Sequence, residues 1–195
     1  HVHVRDPIRR TTSMDTALYV DAVSQIKRHN PDVLINLTTG PGAVFMIGEK
    51  ILHVGEKTSA LFSARRRTEH ITEIKPDICS LDFNCMHQSN GGVRVNHKKV
   101  LREMLYYINQ AGTMPELECF DSGDVRIALE FQKEGLIAPR PLWQFAMGIK
   151  YGWDHTPEAV AYARSLLPHD ALWSAFGISK EEMPMVAATW LLGGH

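Results

Sequence analysis

Two histidines stand two residues apart in the opening stretch His1-Val2-His3-Val4-Arg5-Asp6-Pro7. In an extended strand alternate side chains share a face, so both imidazoles can aim at one point, with their Cα atoms about 6 to 7 Å apart. Such a pair can chelate a divalent metal, and the Arg and Asp that follow at once strengthen that reading over two satisfied core histidines. Two ligands do not complete a centre. A catalytic zinc takes three protein ligands and keeps the fourth position for water or substrate, so a further ligand must come from elsewhere.

Other polar residues gather where apolar runs end: Asn36, Thr38 and Thr39 after one, Asp82 and Asn84 after another, Glu118 and Asp121 after a third, and Lys150 after a fourth. Each has a plainer alternative. Thr38 and Thr39 can cap a turn, Asp121 can belong to the start of the helix that Ser122 would cap, and Glu116 fits a solvated strand end. Glu118 lies between apolar neighbours, where a carboxylate needs a partner. His29, His53, His70, His87, His97, His155 and His169 fall in loops or on polar helix faces without ligand spacing, and only His87 is held in reserve.

The elements that must position these groups alternate. Strand-like runs occur at 1–4, 33–37, 78–83, 117–120, 142–147 and 172–176. Helical stripes lie between them at 18–26, 100–108, 123–134, 157–166 and 180–192. Alternation of this kind predicts an α/β fold with a parallel sheet. Gly40–Gly42 does not match the dinucleotide-binding glycine pattern, whereas polar residues at successive strand ends suit the mouth of a barrel. Residues 40–63 form the one long connection without periodicity, which suggests a lid or an oligomer contact.

With 21 basic and 22 acidic residues the formal charge is −1, which argues against nucleic acid as the main partner. Arg65, Arg66 and Arg67 form the single basic cluster and are expected on a solvated helix face. No apolar stretch approaches the roughly 20 residues of a membrane helix. Cys79, Cys85 and Cys119 read as free thiols of a cytoplasmic protein, the first and last as buried filler.

HVHVRDP, NLTTG, SLDFN, ELECFDSGD, FAMGIKYG, WSAFGI and LLGGH, in this order over nearly the whole chain, resemble the β-keto acid cleavage enzyme family. The resemblance implies a (β/α)8 TIM barrel, here a single partial domain over 1–195, lacking strand one and most of strand eight, and therefore open. It also implies one zinc on His1 and His3, with the third ligand, a glutamate, expected beyond residue 195. Acetyl-CoA would be co-substrate, and a β-keto acid would be cleaved to acetoacetate and a new acyl-CoA by retro-Claisen exchange. Thr38, Thr39 and Asn84 would bind substrate, Glu118 would act in catalysis, and Arg5 and Asp6 would orient the histidines as a second shell. A homo-oligomer, dimer or tetramer, is expected. The alternative is a zinc-dependent TIM-barrel hydrolase, which would need a later strand-end histidine.

Overall fold

Periodicity decides which face each element buries. The computed structural model describes residues 1–47 and 60–195. In α3 (Lys98–Ala111) Leu101, Met104, Leu105 and Ile108 recur at helical spacing and are all buried, and Gly112 ends the helix at φ +73°. The stripes expected elsewhere become α1 (Thr16–His29), α4 (Ser122–Lys133), α5 (Pro157–Ser165) and α6 (Glu182–Leu191), while α2 is Ala64–Ile74. Thr156 caps α5 ahead of Pro157, as expected. Ser122 does not cap α4. Asp121 does, accepting from the backbone N–H groups of Gly123 and Asp124, while the Asp124 carboxylate reaches back to Asp121 N and Phe120 N.

Five strands form one parallel sheet in the order β1 (Asn36–Thr38), β4 (Ile78–Asp82), β7 (Met114–Cys119), β8 (Leu142–Met147), β9 (Leu172–Gly177). His1–Val4 lies parallel beside β1 but pairs only through Val2, whose N–H donates to Asn36 O at 2.8 Å. Among the described residues no strand pairing joins this end to β9, so the sheet is open. Leu37, Cys79, Leu81, Leu117, Cys119 and Phe145 share one core with the inner faces of the helices. The other face carries Asn36, Glu116, Gln144 and Ser174, and their hydrogen bonds run between strands.

A second sheet was not expected. β3 (Ala60–Leu61), β2 (Ala43–Phe45), β6 (Val93–Val95) and β5 (Cys85–His87) pair antiparallel in that order, built from the segments that follow β1 and β4. The β5–β6 turn carries Asn90-Gly91-Gly92, with Gly91 at φ +85°, a turn chemistry that announces a hairpin. The expected lid over 40–63 is thus partly a small sheet. The remainder, 48–59, lies outside the described residues, with His53 in it. Among described helices none is long and apolar enough to cross a membrane.

Candidate active site

β7 is the centre of the site because its alternation puts Glu116 and Glu118 on the polar face of the sheet. Asp82 on β4 is the cross-strand partner of Glu118. All three carboxylates are buried, at 4 % exposure for Glu116, 9 % for Glu118 and 6 % for Asp82. Glu116 accepts from Asn36 Nδ2 at 2.8 Å and from Gln144 Nε2 at 3.1 Å, and Gln144 also reaches Ser174 Oγ at 3.4 Å. A polar ladder therefore crosses the sheet from β1 to β9. Glu116 is no solvated strand end.

His1 approaches this floor, its Nδ1 3.9 Å from Glu116 Oε2. One ligand atom each from His1, Glu116 and Glu118 lie within 4.8 Å of one another. The His1 and His3 rings stack with centroids 4.9 Å apart, so the two imidazoles lie side by side, and His3 is not in the three-residue group. Desolvation lowers the His3 pKa, opposed by the nearby Asp82 carboxylate.

Burial raises the Glu118 pKa well above the carboxylate range, and Asp82 and Glu116 reinforce this by charge repulsion, with a hydrogen bond between Glu118 and Asp82. Glu118 therefore holds its proton to higher pH than an ordinary carboxyl. Glu116 is pushed up by burial as well, partly offset by Asn36. Arg94, in the middle of β6, supplies a cation: its Nη1 donates to Asp82 Oδ2 at 3.1 Å and to Gly40 O at 2.8 Å. The residue escaped the sequence reading because the Val-Arg-Val hairpin strand was not recognised.

Above the floor opens a cavity of about 560 Å³ lined by His3, Thr38, Asp82, Arg94 and Glu118 among others. The Thr38 hydroxyl accepts from Gly40 N at 3.1 Å and, among the described residues, donates its own proton to no partner, which suits it to a ligand. Thr39, expected beside it on the substrate, is fully buried and donates to Ser80 O at 2.6 Å, so it latches β1 to β4 instead. Asn84 is also structural in its contacts. Its side-chain oxygen accepts from Asn96 Nδ2 at 2.9 Å, and it borders a separate pocket of about 200 Å³ together with His87 and Lys150.

Among the described residues Arg5 and Asp6 make no hydrogen bond to the imidazoles. Arg5 donates to Arg10 O at 3.0 Å, and Asp6 accepts from Ile8 N and Arg9 N at 2.9 and 2.6 Å. They build the turn after the histidine strand.

α2 contributes two residues that were misplaced by sequence. Arg67, expected on a solvated face, is 1 % exposed and donates Nε to Thr39 O at 3.1 Å and Nη1 to Asn96 Oδ1 at 2.9 Å. His70, expected in a polar setting, is fully buried, stacks on Tyr19 and donates Nε2 to Thr38 O at 2.9 Å. Together they fix the backbone of the Thr38–Gly40 turn. Cys79 and Cys119 are buried as expected, and Cys85 is exposed.

The whole chain, residues 1–195, matches the family described as beta-keto acid cleavage enzyme. The chain belongs to the β-keto acid cleavage enzyme family. Among curated relatives it is 34% identical over 198 residues to the 3-dehydrocarnitine:acetyl-CoA trimethylamine transferase of Rhizobium meliloti (strain 1021), covering 100% of this chain and 66% of the relative. It is 26% identical to the 3-keto-5-aminohexanoate cleavage enzyme of Acetoanaerobium sticklandii, covering 100% and 64%. The chain thus spans about two thirds of the length of these family members. In fold it is similar to apo ObcA, with a TM-score of 0.72 at 16% identity over 100% of this chain and 49% of that one. The resemblance in sequence and the α/β fold with a parallel, TIM-barrel-like sheet are therefore both established.

Proposed function

We propose that the protein carrying this chain is an acetyl-CoA-dependent β-keto acid cleavage enzyme. The observation that carries the reading is the meeting of His1, Glu116 and Glu118, the last of which lines a cavity that also presents His3, Thr38 and Arg94. The exchange converts a β-keto acid and acetyl-CoA into acetoacetate and the acyl-CoA of the original keto acid. The two acyl groups trade places, so no redox partner is needed. The names of the relatives support acetyl-CoA as co-substrate.

The donor set fits a zinc ion. Three buried carboxylates meet one arginine, Arg94, and one imidazole, His1, in ion-pair range among the described residues, which leaves the floor short of positive charge, and one histidine nitrogen with carboxylate oxygens is a set zinc accepts. His1, Glu116 and Glu118 would hold it, with His3 alongside. When bound, zinc supplies Lewis-acid polarisation of the keto carbonyl. The chain's own residues do the rest. Thr38 donates its hydroxyl to the substrate carboxylate, Arg94 balances the charge of Asp82 beside it, and Glu118 faces the reacting carbon atoms from the floor. The hydrolase alternative gains nothing from the structure, since carboxylates rather than a later histidine gather around His1.

The test is isotopic. With acetyl-CoA labelled in its acetyl group and 3-dehydrocarnitine, 3-keto-5-aminohexanoate or 3-oxoadipate offered in turn, the label is expected in the acetyl half of acetoacetate, with an unlabelled new acyl-CoA. Free acetate and CoA without acetoacetate would replace this reading with hydrolysis.

A further inference from the structure

Asp82 and Arg94, bonded at 3.1 Å, line both the 560 Å³ cavity and the pocket of about 200 Å³, and among the described residues no other side chain is common to the two. The two spaces therefore meet at this ion pair. On the cavity side Asp82 stands opposite Glu118 in register, and Thr38 Oγ1 and Asp82 Oδ2 both lie against Gly40, 3.4 and 3.1 Å from where a Cβ would stand. The Thr38 hydroxyl and the partition are thus neighbours across one missing methyl group. Two residues further along each segment, Asn96 Nδ2 donates to Asn84 Oδ1 at 2.9 Å and to Asn84 O at 3.0 Å. Neither asparagine is more than 2 % exposed, so the partition is tied in by buried bonds.

The lining of the smaller pocket is part apolar and part cationic. Met86, Phe120 and Ile149 belong to a small cluster with Ala146 and Phe176 that is separate from the main core. Of the charged groups, Arg94 is neutralised by Asp82, whereas Lys150 makes no ion pair among the described residues. The pocket is left with one positive charge in excess. Lys150 Nζ lies over the Tyr151 ring at 5.0 Å, and His87 packs edge-on against the same ring at 6.2 Å. A lysine held on an aromatic face has given up part of its freedom before a ligand arrives, which lowers the cost of ordering it on binding. Gln88 lines the pocket too, and its buried Oε1 has no partner among the described residues, so this amide is still to be satisfied. Its NH2 group can turn toward an acceptor.

We propose that the smaller pocket receives the tail of the β-keto acid and selects tails that end in a carboxylate, with Lys150 as the residue that reads the charge. This rests on the proposed cleavage of β-keto acids. A keto acid whose own carboxylate lies on Thr38 and whose keto carbon lies beside Glu118 has the Asp82–Arg94 partition next to it, and its remaining chain passes there. Met86, Phe120 and Ile149 suit the methylenes of a short chain, and a terminal carboxylate supplies the one negative charge that the lining lacks. A neutral tail leaves Lys150 unpaired. A quaternary ammonium tail, such as that of 3-dehydrocarnitine, meets Lys150 as a like charge.

Lys150→Met and Lys150→Glu test the assignment, since the side chain is exposed and its loss leaves the core untouched. With acetyl-CoA saturating, three keto acids are compared by kcat/KM: 3-oxoadipate, 3-oxohexanoate, which carries a methyl group in place of the tail carboxylate, and 3-dehydrocarnitine. The parent is expected to favour 3-oxoadipate over both others by at least tenfold. In Lys150→Met 3-oxoadipate should fall to the level of 3-oxohexanoate, whose own value stays put, and in Lys150→Glu 3-dehydrocarnitine should overtake 3-oxoadipate. Any other order in the parent, or a preference for 3-oxoadipate that survives in Lys150→Met, overturns the subsite. If no keto acid is turned over, the proposed reaction fails, and calorimetric titration with 3-oxoadipate and 3-oxohexanoate still decides. Tighter binding of 3-oxoadipate that Lys150→Met loses upholds the subsite, and equal or absent binding of the two acids by the parent removes it.

Discussion

Asn36 donates to Glu116 across 2.8 Å although β4 lies between their strands. Strands two apart are separated by about 9.5 Å, so both side chains must extend along the sheet's polar face and bridge over β4. Asn36→Ala keeps the strand but leaves a buried carboxylate with Gln144 as its remaining donor. We expect a loss of about 1–3 kcal/mol in urea-induced unfolding. A loss below the scatter of surface variants would mean that the ladder does not stabilise the fold.

Zinc should bind at about one ion per chain through the three-ligand group of a catalytic centre. His1→Ala and Glu118→Gln are each expected to lose the ion on dialysis, read by atomic emission. Retention of stoichiometric metal in the His1→Ala, Glu118→Gln double variant would remove these residues from the ligand set.

Because burial and the neighbouring carboxylates hold the Glu118 proton to higher pH than usual, a divalent cation bound at Glu118 displaces it. Zinc titration by calorimetry in two buffers of different ionisation enthalpy should therefore show proton release, and affinity should weaken as pH falls. A buffer-independent binding heat would contradict a protonated Glu118.

Thr38→Val removes the hydroxyl proton while preserving shape. A hydrogen bond to a charged group is worth about 1.5–3 kcal/mol, so the KM for the keto acid should rise on the order of tenfold or more with bound zinc unchanged. An unaltered KM would reduce Thr38 to a turn residue.

His70 sets an acid limit on stability. Burial pushes its pKa down to about 4 from the usual 6.5, against the opposing pull of the Thr38 carbonyl and Glu69. Between those values the unfolded chain binds the proton and the folded one does not, so stability is full above pH 6.5 and falls as pH drops toward 4. At about 1.36 kcal/mol per pH unit the loss is on the order of 3 kcal/mol. In His70→Gln this part of the acid limb should disappear from chemical denaturation curves collected between pH 7 and 4; an identical limb would place the proton elsewhere.

The parallel sheet was legible because its strands are apolar on the helix side, as in Leu142–Met147, and its helices carry stripes such as Leu101–Ile108. The antiparallel sheet was not, because two- and three-residue strands such as Cys85–His87 leave too little alternation to read, and only the Asn90-Gly91 turn betrays it. In the site, the histidine spacing and Glu118 were readable from local pattern. Arg67 and His70 were not, since a polar residue on a helix face reads as solvated until tertiary packing buries it under another backbone. Glu116 was misread for the same reason: strand alternation says that Glu116 and Glu118 share a face, but not whether water covers it.

The ladder from Asn36 through Glu116 and Gln144 to Ser174 gives the chamber an unusual evolutionary grammar. Side chains that fill a barrel by bulk can be exchanged one at a time if volume is kept, whereas these are tied by donor and acceptor, and one altered member leaves its neighbour unsatisfied. Change in this chamber therefore has to come in compensating pairs, while the strand-end turns above it, held from outside by Arg67 and His70, remain free to vary singly at the residues facing the ligand.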